Sequence, residues 1–162
     1  MKSIILYNVY PKNHWKQLTQ FLLSDVPHDT IIVNVTMDKW DMILRKKSIE
    51  RFLKKIPKVS KIYFTPNSSY GEVPGFITMR NDTDLSEYSI LTYMHSKGVT
   101  KPDNDNIKDW VRLMHYFIID KFKQTEEVFS KNYILYGVNL LKIEDWIESS
   151  DYGPYRFSDY HY

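Results

Sequence analysis

Five short apolar runs, set apart by stretches of helical period, constrain this chain more than any other feature. Ser3–Val9 reads Ser-Ile-Ile-Leu-Tyr-Asn-Val, and Thr30–Met37 reads Thr-Ile-Ile-Val-Asn-Val-Thr-Met. Similar runs cover residues 59–65, 89–94 and 133–140. Each suits a buried strand, being short and rich in residues that fit a pleated surface. Between them the apolar residues recur at helical spacing. Residues 13–26 place Trp15, Leu18, Phe21, Leu22 and Leu23 on one side. Asp38 can cap a helix that carries Trp40, Ile43, Leu44, Ile49, Phe52 and Leu53 and ends near Pro57. A short helix fits from Glu72 or Pro74 to Arg80. The longest pattern, residues 106–124, repeats Ile107, Trp110, Val111, Met114, Phe117, Ile118 and Phe122, so that Trp110 reads as core. Thr125 then reads as the cap of a shorter helix, with Glu126 and Glu127 in its first turn. Alternation of this kind predicts an α/β domain over residues 1–162, with a mostly parallel sheet flanked by helices.

Composition narrows the function classes. A 43% hydrophobic and 15% aromatic content supports a packed core rather than disorder. Without cysteine there is no disulfide, thiolate metal site or cysteine nucleophile. A net charge of +2 argues against a general nucleic-acid binder. The first apolar run is too short for a signal peptide, and no stretch approaches the roughly 20 apolar residues of a membrane span. The expected location is therefore cytoplasmic, with no transmembrane segment. Residues 45–61 are strongly basic, with Ile49, Phe52, Leu53 and Ile56 interleaved. They read first as the solvated face of an amphipathic helix and second as a contact for an anionic surface or acceptor.

Parallel sheets bind ligands beyond the carboxyl ends of their strands. That rule selects three exits: residues 8–12, 66–71 and 95–101. The third is the richest. It carries Tyr93, His95, Ser96, Lys97 and Gly98 within one strand terminus. A diphosphate needs point positive charge and close backbone approach, which Lys97 and Gly98 can supply. His95 can donate to a phosphate oxygen or ligate a divalent metal. The first exit offers Asn8 and Tyr10 to a ligand, and the second offers Asn67 and Gly71, whose glycine lets backbone come close. Each of these is equally at home as an ordinary strand-end or turn residue. Arg112 lies off the apolar stripe of its helix and suits either an ion pair or a phosphate.

The segment Ile90-Leu91-Thr92-Tyr93-Met94-His95-Ser96-Lys97-Gly98-Val99-Thr100 resembles the Tyr-Leu-His-Thr-Lys-Gly-Val segment of a glycosyltransferase family. That family occurs in bacterial surface-polysaccharide clusters and in large DNA viruses. The resemblance continues through Asn106-Ile107-Lys108-Asp109-Trp110-Val111-Arg112 and Met114-His115-Tyr116-Phe117, and more weakly through Tyr136-Gly137-Val138-Asn139. About 50 residues match well, and the N-terminal half only in outline. The chain is also similar to the small chlorella virus domain that glycosylates the major capsid protein.

The resemblance implies a GT-A (Rossmann-like) fold and transfer from a nucleotide-sugar, usually a UDP-sugar, to a glycan or glycoprotein acceptor. It implies a Mn2+ or Mg2+ ion that neutralises the diphosphate leaving group, and, for a viral protein, the host cytoplasm. A catalytically silent nucleotide-sugar-binding module is the alternative. GT-A enzymes usually draw metal ligands from an Asp-x-Asp motif after the fourth strand, where this chain has His95-Ser96-Lys97. Asp82-Thr83-Asp84 has the letters but precedes that strand. The family's acceptor-side segment extends past the point that corresponds to Tyr162, so this chain is expected to lack it. Asp159, in the aromatic tail, is the candidate base.

Overall fold

The computed structural model describes residues 1–100 and 104–137. In chain order these form β1 (Ser3–Val9), α1 (Trp15–Leu23), β2 (Thr30–Met37), α2 (Lys39–Leu53), β3 (Val59–Pro66), α3 (Val73–Asn81), β4 (Ile90–His95), α4 (Asp105–His115) and α5 (Phe122–Ser130). A 3-10 turn, Leu85–Glu87, precedes β4, and a π-helical turn, Tyr116–Asp120, joins α4 to α5. The four strands run parallel in the order β3-β2-β1-β4. The architecture is α/β, with helices on both faces of the sheet, and is compatible with a Rossmann-like fold.

Burial on both faces explains why the strands read as nearly continuous apolar runs. Ile5, Tyr7 and Val9 of β1, with Ile31, Val33, Val35 and Met37 of β2, pack against Trp15, Leu18 and Leu22 of α1, Ile49 and Leu53 of α2, and Val111 of α4. Ile4, Leu6 and Ile32 face the other way, onto Met79 and Phe76 of α3. The hydroxyl of fully buried Tyr7 shares a 2.9 Å hydrogen bond with Thr19. Burial pushes its pKa well above the usual phenol range.

The connections follow from the handedness of parallel crossovers. From β1 to β2 to β3 the chain steps outward in one direction, with α1 and α2 on the first face. It then returns across the sheet to place β4 beside β1, and α3 covers the second face. Strand order therefore reverses between β1 and β4, which opens a crevice at their carboxyl ends.

Several expectations are corrected. The helix expected over 106–124 is two helices. The Lys121 amide donates to the Tyr116 carbonyl, five residues back, and this π-helical closure ends α4 and resets the apolar phase. Thr125, read as a cap, lies buried inside α5. Trp110, read as core, is 44% exposed, while Val111 takes the inward position. Residues 133–137, the start of the expected fifth strand, form no regular structure, and 138–140 lie outside the described residues. Among the described residues, no helix is long and apolar enough to cross a membrane.

Candidate functional site

On the face of the sheet under α3, side chains change from apolar to polar at one level along the strands. Ile4 and Leu6 give way to Asn8 in β1. Ile32 gives way to Asn34 and Thr36 in β2, and Tyr63 to Thr65 in β3. Asn8 is in register with Asn34 on one side and His95 on the other. The Asn34 amide donates to Asn8 Oδ1 at 2.6 Å and to Thr65 Oγ1 at 2.8 Å, and Thr36 donates to Asn8 at 3.2 Å. Asn8, Asn34, Thr36 and Thr65 are all buried, so the network stiffens the floor beneath the strand exits. α3 approaches it directly through Gly75, where an added Cβ would lie 2.2 Å from Asn34 Nδ2 and 2.4 Å from Asn8 Oδ1.

Above this floor is a cleft of about 300 Å³, lined by Asn8, Tyr10, Thr36, Asn67, Gly71, Glu72 and residues 95–100. Its walls are the exits of β1 and β4 and the loop before α3. The buried Ser96 hydroxyl accepts from the Tyr10 amide at 2.9 Å, and the Ser96 amide donates to the Asn8 carbonyl at 3.0 Å. Ser96 thus ties the two exits together. Gly98 holds φ of +85°, and a Cβ there would sit 2.5 Å from Ile107 Cγ2. Glycine is needed both for the turn and for the seating of α4.

Two acidic residues organise the cleft, and neither was among the site residues expected from sequence. Glu72, just before α3, lies 3.3 Å from Nδ1 of His95. His95 chiefly, helped by the backbone and by Lys97, holds the Glu72 carboxyl down at about 2 against partial burial. Asp38, read as a helix cap, makes no side-chain cap bond. Its carboxylate instead pairs with Lys12 at 2.9 Å and accepts from Tyr10 at 3.1 Å and Asn67 at 3.0 Å. Lys12 first and Asn67 second hold its pKa below the usual carboxylate range. Asp38 therefore positions two residues of the cleft wall.

Lys97 Nζ lies 5.0 Å from the centroid of the Trp110 ring, a cation–π placement that explains why Trp110 stays half-exposed at the rim. Behind the pair, Tyr93, Met94, Trp110, Met114 and Ile118 line an apolar cavity of about 220 Å³ that shares His95 and Lys97 with the cleft.

The structure thus brings together Asn8, Tyr10, Asn67, Gly71, His95, Ser96, Lys97 and Gly98. Tyr93 belongs to the adjoining cavity. Arg112 is not brought in: it is exposed and pairs with Asp109 at 3.4 Å. Asp82 lies at the opposite end of α3, bonded by Tyr63, and Asp84 caps the 3-10 turn through Ser86. Asp159 lies outside the described residues. A larger concavity of about 760 Å³ lies at the amino ends of the strands. Its lining mixes the acids Asp25, Asp29, Asp120 and Glu126 with Lys121 and Lys123, and the Met1 ammonium pairs with Glu126.

Among the described residues no three His, Asp or Glu side chains converge on a metal position. The donors at the cleft are Glu72 and His95 beside the cation Lys97. Two donors are too few for a closed protein cage, and a divalent ion held by them would take its remaining ligands from water or a bound anion. Comparison of the chain with protein-family models, curated proteins and solved structures finds no match.

Proposed function

We propose that the chain is a nucleotide-sugar-dependent glycosyltransferase of the GT-A type, taking a UDP-sugar as donor and a glycan or glycoprotein as acceptor. The observation that carries this reading is the meeting of Lys97, Gly98 and the Glu72–His95 pair at the strand-order switch. Lys97 supplies a point charge for the diphosphate, and the Gly98 turn lets backbone approach it. Tyr10 and Asn67, both held by Asp38, suit the base and ribose end. The rim Trp110 offers an apolar face to a sugar ring.

An ionised Glu72 would repel a diphosphate unless a cation lay between them. This is the physical case for Mn2+ or Mg2+ held by Glu72 and His95. When bound, the ion neutralises charge on the departing diphosphate. Lys97 and the Gly98 turn then orient the diphosphate, and Trp110 lines the adjoining cavity beside Lys97.

One observation favours the second reading, a catalytically silent binding module. Among the described residues Glu72 is the only carboxylate lining the cleft, and His95 already engages it. Thermal-shift titration with UDP, GDP and CMP, each with and without Mn2+, tests both readings. The proposal predicts that one nucleotide, UDP, stabilises the fold and does so more strongly with metal. No response to any of the three would rule out both. Hydrolysis of the donor then separates enzyme from silent module.

A further inference from the structure

α2 is apolar on two opposite sides. Met42, Ile49, Phe52 and Leu53 face the sheet. At the helical repeat of 3.6 residues, Trp40, Ile43 and Leu44 fall on the other side. They are 74%, 67% and 78% exposed. Continuing along that outer face come Lys47 and Arg51, and then Lys54 and Lys55 at the helix end, all exposed. The nearby acids are engaged: Asp41 lies 3.2 Å from Arg45 and 3.5 Å from Lys12, and Glu50 pairs with Lys54. The outer face is thus an apolar cluster followed by the cations Lys47, Arg51 and Lys55, with Lys54 already paired to Glu50.

We propose that this face of α2 docks the protein on an anionic lipid bilayer. The face combines the two attractions that hold peripheral segments on bilayers: Trp and aliphatic side chains for the headgroup boundary, and Lys and Arg for anionic lipid. The long stems of Lys and Arg lie along apolar surface while their charges stay at the headgroups. Charge decides the occupant. A second copy meeting this face would offer the Lys47–Arg51 row no free acid, because Asp41 and Glu50 are already paired. An anionic bilayer complements that row. α2 begins one residue after Asp38, so docking would set the cleft beside the membrane plane. The inference stands on the helix face alone and survives failure of the glycosyltransferase reading.

Vesicle flotation of the full chain tests it, comparing phosphatidylcholine alone with phosphatidylcholine containing about one third phosphatidylglycerol. The expected result is flotation with the anionic vesicles only, reversed by high salt. Trp40→Ser/Leu44→Ser and Lys47→Glu/Arg51→Glu should each weaken it by about tenfold or more, with the melting temperature within a few degrees of the parent. The wild-type comparison needs no variant and decides the question even if a variant misfolds. No flotation, or equal flotation with both vesicles, overturns the proposal. So does a dimer in sedimentation that Leu44→Ser dissociates while the wild type ignores lipid, since a second copy then covers the face.

Discussion

Glu72 sits 3.3 Å from His95 and in the field of Lys97, and it keeps its charge down to about pH 2. An anion so firmly ionised, in a cleft that also offers Lys97, separates two kinds of binding. Lys97→Ala should weaken UDP by about tenfold or more, the usual scale of a lost charge-assisted hydrogen bond. The melting temperature should hold, because Lys97 is exposed and its ammonium rests on the half-exposed Trp110 ring. Glu72→Gln should act differently: UDP binding without metal should strengthen as repulsion is removed, and the gain on adding Mn2+ should shrink. Calorimetric titration of both variants, with and without Mn2+, reads the two effects directly. Equal losses under all four conditions would mean that Glu72 has no part in holding an ion.

At the scale of elements, α3 is the piece that turns a generic sheet end into a site. Its Gly75 leaves no room for a methyl group over Asn8 and Asn34. Gly75→Ala should therefore destabilise the fold by about 1–3 kcal/mol, as overpacking does. Denaturant unfolding measures this, and an unchanged midpoint would show that α3 can lift away from the floor. β1 and β2 have the bounds read from the sequence because strands buried on both faces announce themselves as unbroken apolar runs. The third strand runs one residue past the reading, and the fourth is shifted by one residue at both ends. The cleft residues at the exits of β1 and β4 were legible because strand exits in a parallel sheet have a fixed place. Glu72 and Asp38 were not: both stand before helices, where an acid reads as a cap, and only packing reveals their partners. Trp110 misled for a related reason. Helical period places it near the apolar stripe, but the π-helical turn resets the phase and Lys97 offers the ring a cation.

The whole molecule carries a pH dependence in its core. His28 is fully buried, shares a 2.8 Å hydrogen bond with Thr92 and packs against Phe122. Burial first, and Lys58 second, lower its pKa from 6.5 to about 4. The unfolded chain thus binds a proton that the folded chain resists. The neutral-His contribution is complete above about pH 6.5 and is lost as pH falls towards 4, to a total of about 3 kcal/mol. Chemical denaturation from pH 7 to 4 should show this fall, and His28→Gln should flatten it relative to the parent. The central claim, that the cleft between β1 and β4 binds a nucleoside diphosphate, is tested most directly by amide NMR during titration with UDP and Mg2+. The account predicts that the amides of Tyr10, Gly71, Lys97 and Gly98 shift together and saturably, while those of Asp25, Asp29 and Gln124 at the opposite end of the sheet stay still. Shifts centred on that opposite end, or none at all, would contradict it.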